Sequence, residues 1–206
     1  MLSSTLWIIG SLMVAELLGY WLHRLLHSDR VRVLSRSHMI HHLLLYGPLQ
    51  PQRPGSDYLD ATTGKVALGN IGLEWLVPSG LLLTLSLALL WTMRVTVTHQ
   101  LIFASVTLTW SFLMFGYLHD QMHVEGFWMA RNALLGRWFR SARQLHDIHH
   151  VSLNNTGLMD KNFGIGFYFF DRVFRTLSEA EQPFNETGYE AAKKRYAFLQ
   201  EQSPET

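Results

Sequence analysis

LIFASVTLTWSFLMFGYLHDQMH, residues 101–123, joins an unbroken apolar run directly to two histidines four apart. A membrane-spanning helix needs roughly 20 mainly apolar residues, and Leu101 to Leu118 is close to that length. On a helix, residues four apart share a face, so His119 and His123 present two imidazoles to one point just beyond the apolar run. The same arrangement stands near the N-terminus. Residues 6–27, LWIIGSLMVAELLGYWLHRLLH, end in His23 and His27. A further apolar run extends from about Val66 to Trp91. With 48% hydrophobic and 16% charged residues, the chain lies on the apolar side of ordinary soluble proteins.

The expected fold class is therefore an all-α integral membrane protein. About three transmembrane helices, near 6–22, 71–92 and 99–118, belong to a single domain over 1–206, with a helical cap formed by 23–65 and 119–206. Met1 to Leu6 carries no basic side chain and no small-residue cleavage pattern follows, so the first run is expected to be a retained span rather than a signal peptide. Arg24, Arg30, Arg32 and Arg36 follow the first run, and Arg131, Arg137, Arg140 and Arg143 follow the last. The positive-inside rule makes both stretches, and hence the cap, cytoplasmic. The N-terminus is then outside, in a bacterial inner membrane or its equivalent. A net charge of +1 with no separate basic arm gives no ground for nucleic-acid binding.

Prolines and glycines from Gly47 to Gly64, among them Pro51, mark a loop before the second span, which Pro78 is expected to kink. Phe127 to Arg143 mixes aromatic and basic residues as a helix on the membrane surface would, and Ala191 to Gln200 reads as a peripheral helix. The spans hold few ionisable residues beyond Glu16 and Glu74. The chain has no cysteine, which excludes disulfides, thiolate metal sites and cysteine nucleophiles.

Ten of the 11 histidines fall into four clusters: His23 and His27; His38, His41 and His42; His119 and His123; His146, His149 and His150. The order is HxxxH, HxxHH, HxxxH, HxxHH. A lone histidine near a span is usually an interfacial side chain, which is the reading for His99. Four clusters in a repeated order point instead to metal. Each HxxxH–HxxHH pair can supply up to five nitrogens, too many in all for one ion but enough for two. Both HxxxH pairs start at the same end of their spans, where a metal centre can reach a carbon of a lipid chain.

These motifs, together with Asn162-Phe163-Gly164 and Asp171-Arg172-Val173-Phe174-Arg175-Thr176, resemble the fatty acid hydroxylase and sterol desaturase superfamily of membrane di-iron enzymes over roughly Gly19 to Thr176. Arg175 departs from the pattern, standing where a glycine is common. The resemblance implies that the ten clustered histidines ligate two iron ions, a site that also accepts zinc readily, and that dioxygen is the co-substrate. It implies a monooxygenase that hydroxylates a C–H bond of a lipid-like substrate. A desaturase on the same scaffold and a carotenoid-type hydroxylase are the neighbouring alternatives; the HxxxH spacing favours the lipid and sterol branch. Electrons must come from outside, because no glycine-rich dinucleotide fingerprint or iron–sulfur ligand set is present. A separate reductase with a small redox carrier is the expected donor. The arginines from Arg131 to Arg143 are candidates for docking it, although the positive-inside rule and contact with anionic membrane lipids are the preferred explanation for them.

Weaker signals surround the histidines. Glu16 precedes His23 by seven residues on one helical stripe, so it either lines a substrate cavity or hydrogen-bonds a polar neighbour. Phe112 and Phe115 precede His119 by seven and four and are candidates for the apolar wall of that cavity. Asp120, Asp147, Asn162 and Asp171 are candidates for orienting the imidazoles through their second ring nitrogen, with an arginine as the other partner open to Asp171. A membrane protein that stores or passes metal ions is the non-enzymatic alternative, and a zinc hydrolase would need fewer ligands.

Overall fold

The computed structural model describes residues 2–48, 50, 52–58, 67–68, 71–180 and 183–199, with the backbone alone at 2, 3, 67, 68 and 71–74. Pro51, Gly64, the Glu74 side chain and residues 200–206 lie outside the described residues. Helix α1 covers Leu2–Leu26, α3 Leu73–Thr92 and α4 Val97–Ser111. A π-helical stretch, Phe112–Leu118, and the short α5, His119–Met122, continue α4 without a break. Three helical segments, Ser4–Leu26, Trp75–Thr92 and Val97–Met122, are long and apolar enough to cross a membrane. At 1.5 Å per residue the first and third reach about 35 Å or more, beyond the roughly 30 Å hydrocarbon thickness. Their histidine-bearing ends can therefore emerge from the apolar layer while remaining helical.

The chain reverses twice, so α1 and α4 run parallel and carry His23 and His119 at the same end, ring centroids 6.3 Å apart. Small residues on α1 (Ser11, Ala15, Gly19) form the buried stripe that lets the bundle close. At Gly19 the approach is tightest, for a Cβ there would meet the Phe115 ring at 2.1 Å. The outward face of α3 is exposed and mainly apolar (Val77, Leu81, Leu85, Leu89). Hydroxyls within the bundle mostly bond to the carbonyl one turn back, as Ser11 does to Trp7, Thr84 to Gly80 and Ser86 to Leu82. Pro78 lies inside α3. His99, at the opposite end from the other histidines, stacks on Trp7 and hydrogen-bonds Thr96.

The cap differs from the expectation in three ways. The architecture is helical, but a two-residue antiparallel pair, Ala67–Leu68 with Ile71–Gly72, precedes α3. Residues 127–143 are not one surface helix: a 3₁₀ turn, Trp128–Arg131, leads into α6, Gly136–Val151, and Phe127, Met129 and Phe139 are buried against Met114, Leu118 and Met122. The tail is not peripheral. Helix α8, Glu186–Arg195, starts at the Asn185 cap, and Ala192, Tyr196 and Leu199 are buried against Met39 and Leu43 of the first HxxHH segment. Burial of apolar surface outweighed the polar composition of the tail, because one face of a charged helix suffices to fill a groove.

The last cap segment includes α7, Phe169–Val173, flanked by Tyr168 at φ 50° and Arg175 at φ 60°. The left-handed region costs a residue with a Cβ about 1–2 kcal/mol, a cost that glycine at position 175 would avoid. Arg175→Gly is expected to stabilise the protein by about 1 kcal/mol after the entropic cost of glycine, read as a higher thermal midpoint in detergent.

Candidate metal centre

The first HxxHH lies on α2, Arg32–Ile40, and the π-helical turn His41–Leu45 that extends it; the second lies in the last turns of α6. All ten clustered histidines are buried. Their ring nitrogens converge into two principal groups, His23, His27, His38, His42 and His149 in one, and His41, His119, His123 and His146 in the other. His150 joins His41 and His42 in a third group between them, its ring centroid 4.0 Å from that of His42. The clusters thus do not divide along the sequence repeat. The middle histidine of each HxxHH crosses over, His149 to the first group and His41 to the second. At 100° per residue the first and last histidines of HxxHH share a face, while the middle one stands about 100° from the last, turned toward the other half.

Three of the nitrogens that converge are fixed as lone pairs. A neutral imidazole has one N–H and one acceptor nitrogen, and backbone carbonyls fix which is which. Nδ1 of His23 donates to the Phe163 carbonyl at 2.7 Å, that of His149 to Lys161 at 2.7 Å, and that of His150 to Tyr46 at 2.8 Å. Each Nε2 is then left as an acceptor aimed inward. Nε2 of His27 lies 3.0 Å from Nε2 of both His38 and His149. In the second group His146 Nε2 lies 3.1 Å from His123 Nε2 and 3.2 Å from His150 Nε2. Nε2 of His23, His41, His42 and His119 is buried without a hydrogen-bond partner. Acceptors packed at this distance repel one another unless a cation lies between them. Ligands about 2.1 Å from one ion stand roughly 3 Å apart, so the residues present fit metal ions.

Burial, reinforced by the neighbouring imidazoles, holds His38, His41, His42, His146 and His150 well below the ordinary value of 6.5, and burial pushes His149 down to about 4. These side chains are neutral, as ligands must be.

The acidic and amide candidates act at one remove or not at all. Asp171 is buried and accepts from the Phe163 and Gly164 amides at 2.7 Å each and from the Thr176 hydroxyl at 2.8 Å. Burial pushes its carboxyl above the usual range, partly offset by these hydrogen bonds. It pairs with amides rather than with an arginine, and so anchors the Phe163 carbonyl that orients His23. Gly164 permits the approach, since a Cβ there would stand 2.7 Å from Asp171 Oδ2. Asn162, at φ 54°, donates to the Leu145 and Ser178 carbonyls and accepts from the Ser178 amide; Asn tolerates this left-handed conformation better than most residues. Asp147 hydrogen-bonds Gln52 and is pushed up to about 6 by burial. Asp120 lies 3.6 Å from His119 Nδ1, too far for a hydrogen bond.

Above the histidines, between α1, α3 and α4, is a cavity of about 330 Å³ whose lining includes Leu22, Trp75, Leu83, Phe112 and Phe115. Phe112 and Phe115 therefore do line a cavity. Glu16 is not among the residues described in its lining; as the other alternative had it, its carboxylate hydrogen-bonds a polar neighbour, accepting from Trp110 Nε1 at 2.7 Å. Trp75 was not anticipated. Its ring centroid lies 5.5 Å from that of Phe115 and 6.2 Å from those of both His23 and His38, so it is the partition between cavity and histidines. An aromatic residue at the histidine-facing start of the second span was the available signal. The orienting carbonyls of Tyr46, Lys161 and Phe163 have no sequence signal, every residue having a carbonyl. Tyr196, whose hydroxyl donates to the His27 carbonyl, was also missed.

Compared with family models, curated proteins and solved structures, the chain matches none of them.

Two outcomes follow from this geometry. Asp171→Asn, which replaces an acceptor oxygen with a donor NH₂ beside two amides, is expected to lower metal affinity about 10–100-fold, measured by competition with a chelator. The buried imidazoles take up protons less readily folded than unfolded, so the metal-free chain is most stable above about pH 6.5. Its stability falls as pH drops from there toward 4, observable as a declining thermal midpoint.

Proposed function

We propose that this protein is a membrane di-iron oxidoreductase that hydroxylates a C–H bond of a lipid-like substrate with dioxygen and external electrons. The observation that carries the reading is the juxtaposition of an apolar cavity within the helical bundle and two converging groups of buried imidazoles, with Trp75 between them. His23, His27, His38, His42 and His149 would hold one iron; His41, His119, His123 and His146 the other, with His150 beside both. When bound, such a pair supplies the electrons that reduce dioxygen for C–H oxidation.

The chain's own residues then have definite tasks. The Phe163, Lys161 and Tyr46 carbonyls hold three rings in the ligating tautomer. The ring packing of Trp75 and Phe115 keeps water from the cavity side, and the cavity aligns an apolar chain toward the histidines. The cap arginines flank the histidine end, which supports a cytoplasmic site and an outer N-terminus. Arg143 is partly taken up by the Gln121 and Val124 carbonyls and Arg140 by that of Ala130; exposed Arg131 and Arg137 remain for an acidic electron carrier or anionic lipid.

The purified protein is expected to bind about two irons per chain and to consume dioxygen with a chemical reductant and a lipid extract, giving a product heavier by one oxygen in mass spectrometry. His149→Ala is expected to lower iron content and abolish the uptake. Iron bound without any uptake would leave metal storage or transport as the better reading.

A further inference from the structure

The basic residues of the cap do not all have the same surroundings. Around Arg131 and Arg137 in the chain the exposed side chains are Trp128, Leu134 and Leu135, a mixture of aromatic, aliphatic and basic groups that suits the headgroup layer of a membrane. A second basic face is composed differently and stands elsewhere. It is assembled from two ends of the chain: Arg195 pairs with Asp29 at 2.7 Å, Arg36 donates to the Phe198 carbonyl at 3.2 Å, and the Arg32 guanidinium lies 5.2 Å over the Phe198 ring. These contacts draw the last turn of α8, with Lys193 and Lys194, against the start of α2 and the turn at Arg30 that precedes it. The carboxylates of Asp29 and Glu190 are taken up by Arg195 and Lys193. Among the described residues, Arg30, Arg32, Arg36 and Lys194 form no salt bridge.

The positive-inside rule explains arginines next to a span, but not the meeting on one face of basic segments whose contact spans 162 positions. The face begins past His27, on the side of the histidines away from the spanning part of α1. Val31 and Val33, the latter 85% exposed, alternate with Arg30 and Arg32. Apolar side chains within a charged rim have the anatomy of a small, transient protein interface. One buried layer separates this face from the first histidine group, for the Tyr196 hydroxyl donates to the His27 carbonyl and His38 follows Arg36 by two residues on α2.

We infer that the face formed by the start of α2 and the end of α8 docks a small acidic redox protein, the external electron donor. Charge complementarity selects the partner and speeds the encounter. Placement beyond the histidines separates this face from the bilayer, and Arg131 and Arg137 are left to anionic lipid. The partner's role as donor rests on the proposed function; its docking does not.

The chain has no cysteine, so Val33→Cys provides a single thiol for an environment-sensitive fluorophore. The full chain so labelled, in phosphatidylcholine nanodiscs at low salt, is titrated with a plant-type ferredoxin as the acidic carrier. A saturable change in emission that weakens as salt is raised is the expected result. Arg30→Glu combined with Lys194→Glu, both on exposed side chains, is expected to weaken binding about tenfold, whereas Arg131→Glu combined with Arg137→Glu should leave it nearly unchanged. Absence of saturable binding, or a larger loss from the Arg131 and Arg137 pair, overturns the inference. A blue-shifted emission on replacing part of the phosphatidylcholine with phosphatidylserine, before any ferredoxin is added, also overturns it by making the face a lipid contact. Iron content and dioxygen uptake of the same preparations report separately on the functional reading: ferredoxin bound by a chain that holds no iron and consumes no dioxygen refutes that reading and leaves the docking face in place.

Discussion

Ten imidazoles buried ring against ring, their ring nitrogens converging into close groups, are the constraint on which the cap depends. Hydrogen bonds among its members leave such a cluster incompletely satisfied, since Nε2 of His23, His41, His42 and His119 is buried without a partner. A metal ion held there would make good that deficit and couple its binding to folding. For His23, His149 and His150 the second nitrogen does the orienting, through main-chain carbonyls of two separate segments. The cap therefore has to be built accurately in places remote from one another in the sequence.

That requirement explains the investment in the segment from Asn162 to Thr176. Asp171 binds two consecutive amides and the Thr176 hydroxyl, and Thr176 accepts from Tyr20 of α1. Asn162 ties the same loop to α6. The result is a brace that joins the first spanning helix to the second HxxHH, with the Phe163 carbonyl at its tip. The tail performs a matching service on the other side, where Tyr196 reaches the His27 carbonyl and Arg195 pairs with Asp29 at 2.7 Å. Such an exposed pair contributes little by itself; the apolar contacts of Ala192, Tyr196 and Leu199 hold the helix in place.

The two π-helical stretches described fall where the bundle meets the site, one carrying His41 and His42 and the other ending at Leu118, just before His119. Wider helical turns rotate the side chains that follow and are frequent at functional sites. With α1 and α4 parallel, they bring both HxxxH pairs and both HxxHH segments to one level beneath Trp75.

The sequence by itself determined the three long apolar helices, the level of the histidines and the identity of the ten that gather, because hydropathy and helical spacing are local properties. Phe112 and Phe115 were legible for the same reason. Tertiary structure alone decided the crossing of His41 and His149 between the groups, the carbonyls that set the tautomers, the partition at Trp75 and the pairing of Glu16 with Trp110. Each of these depends on where segments dozens of residues apart come to rest, and no local pattern encodes a distance of that kind.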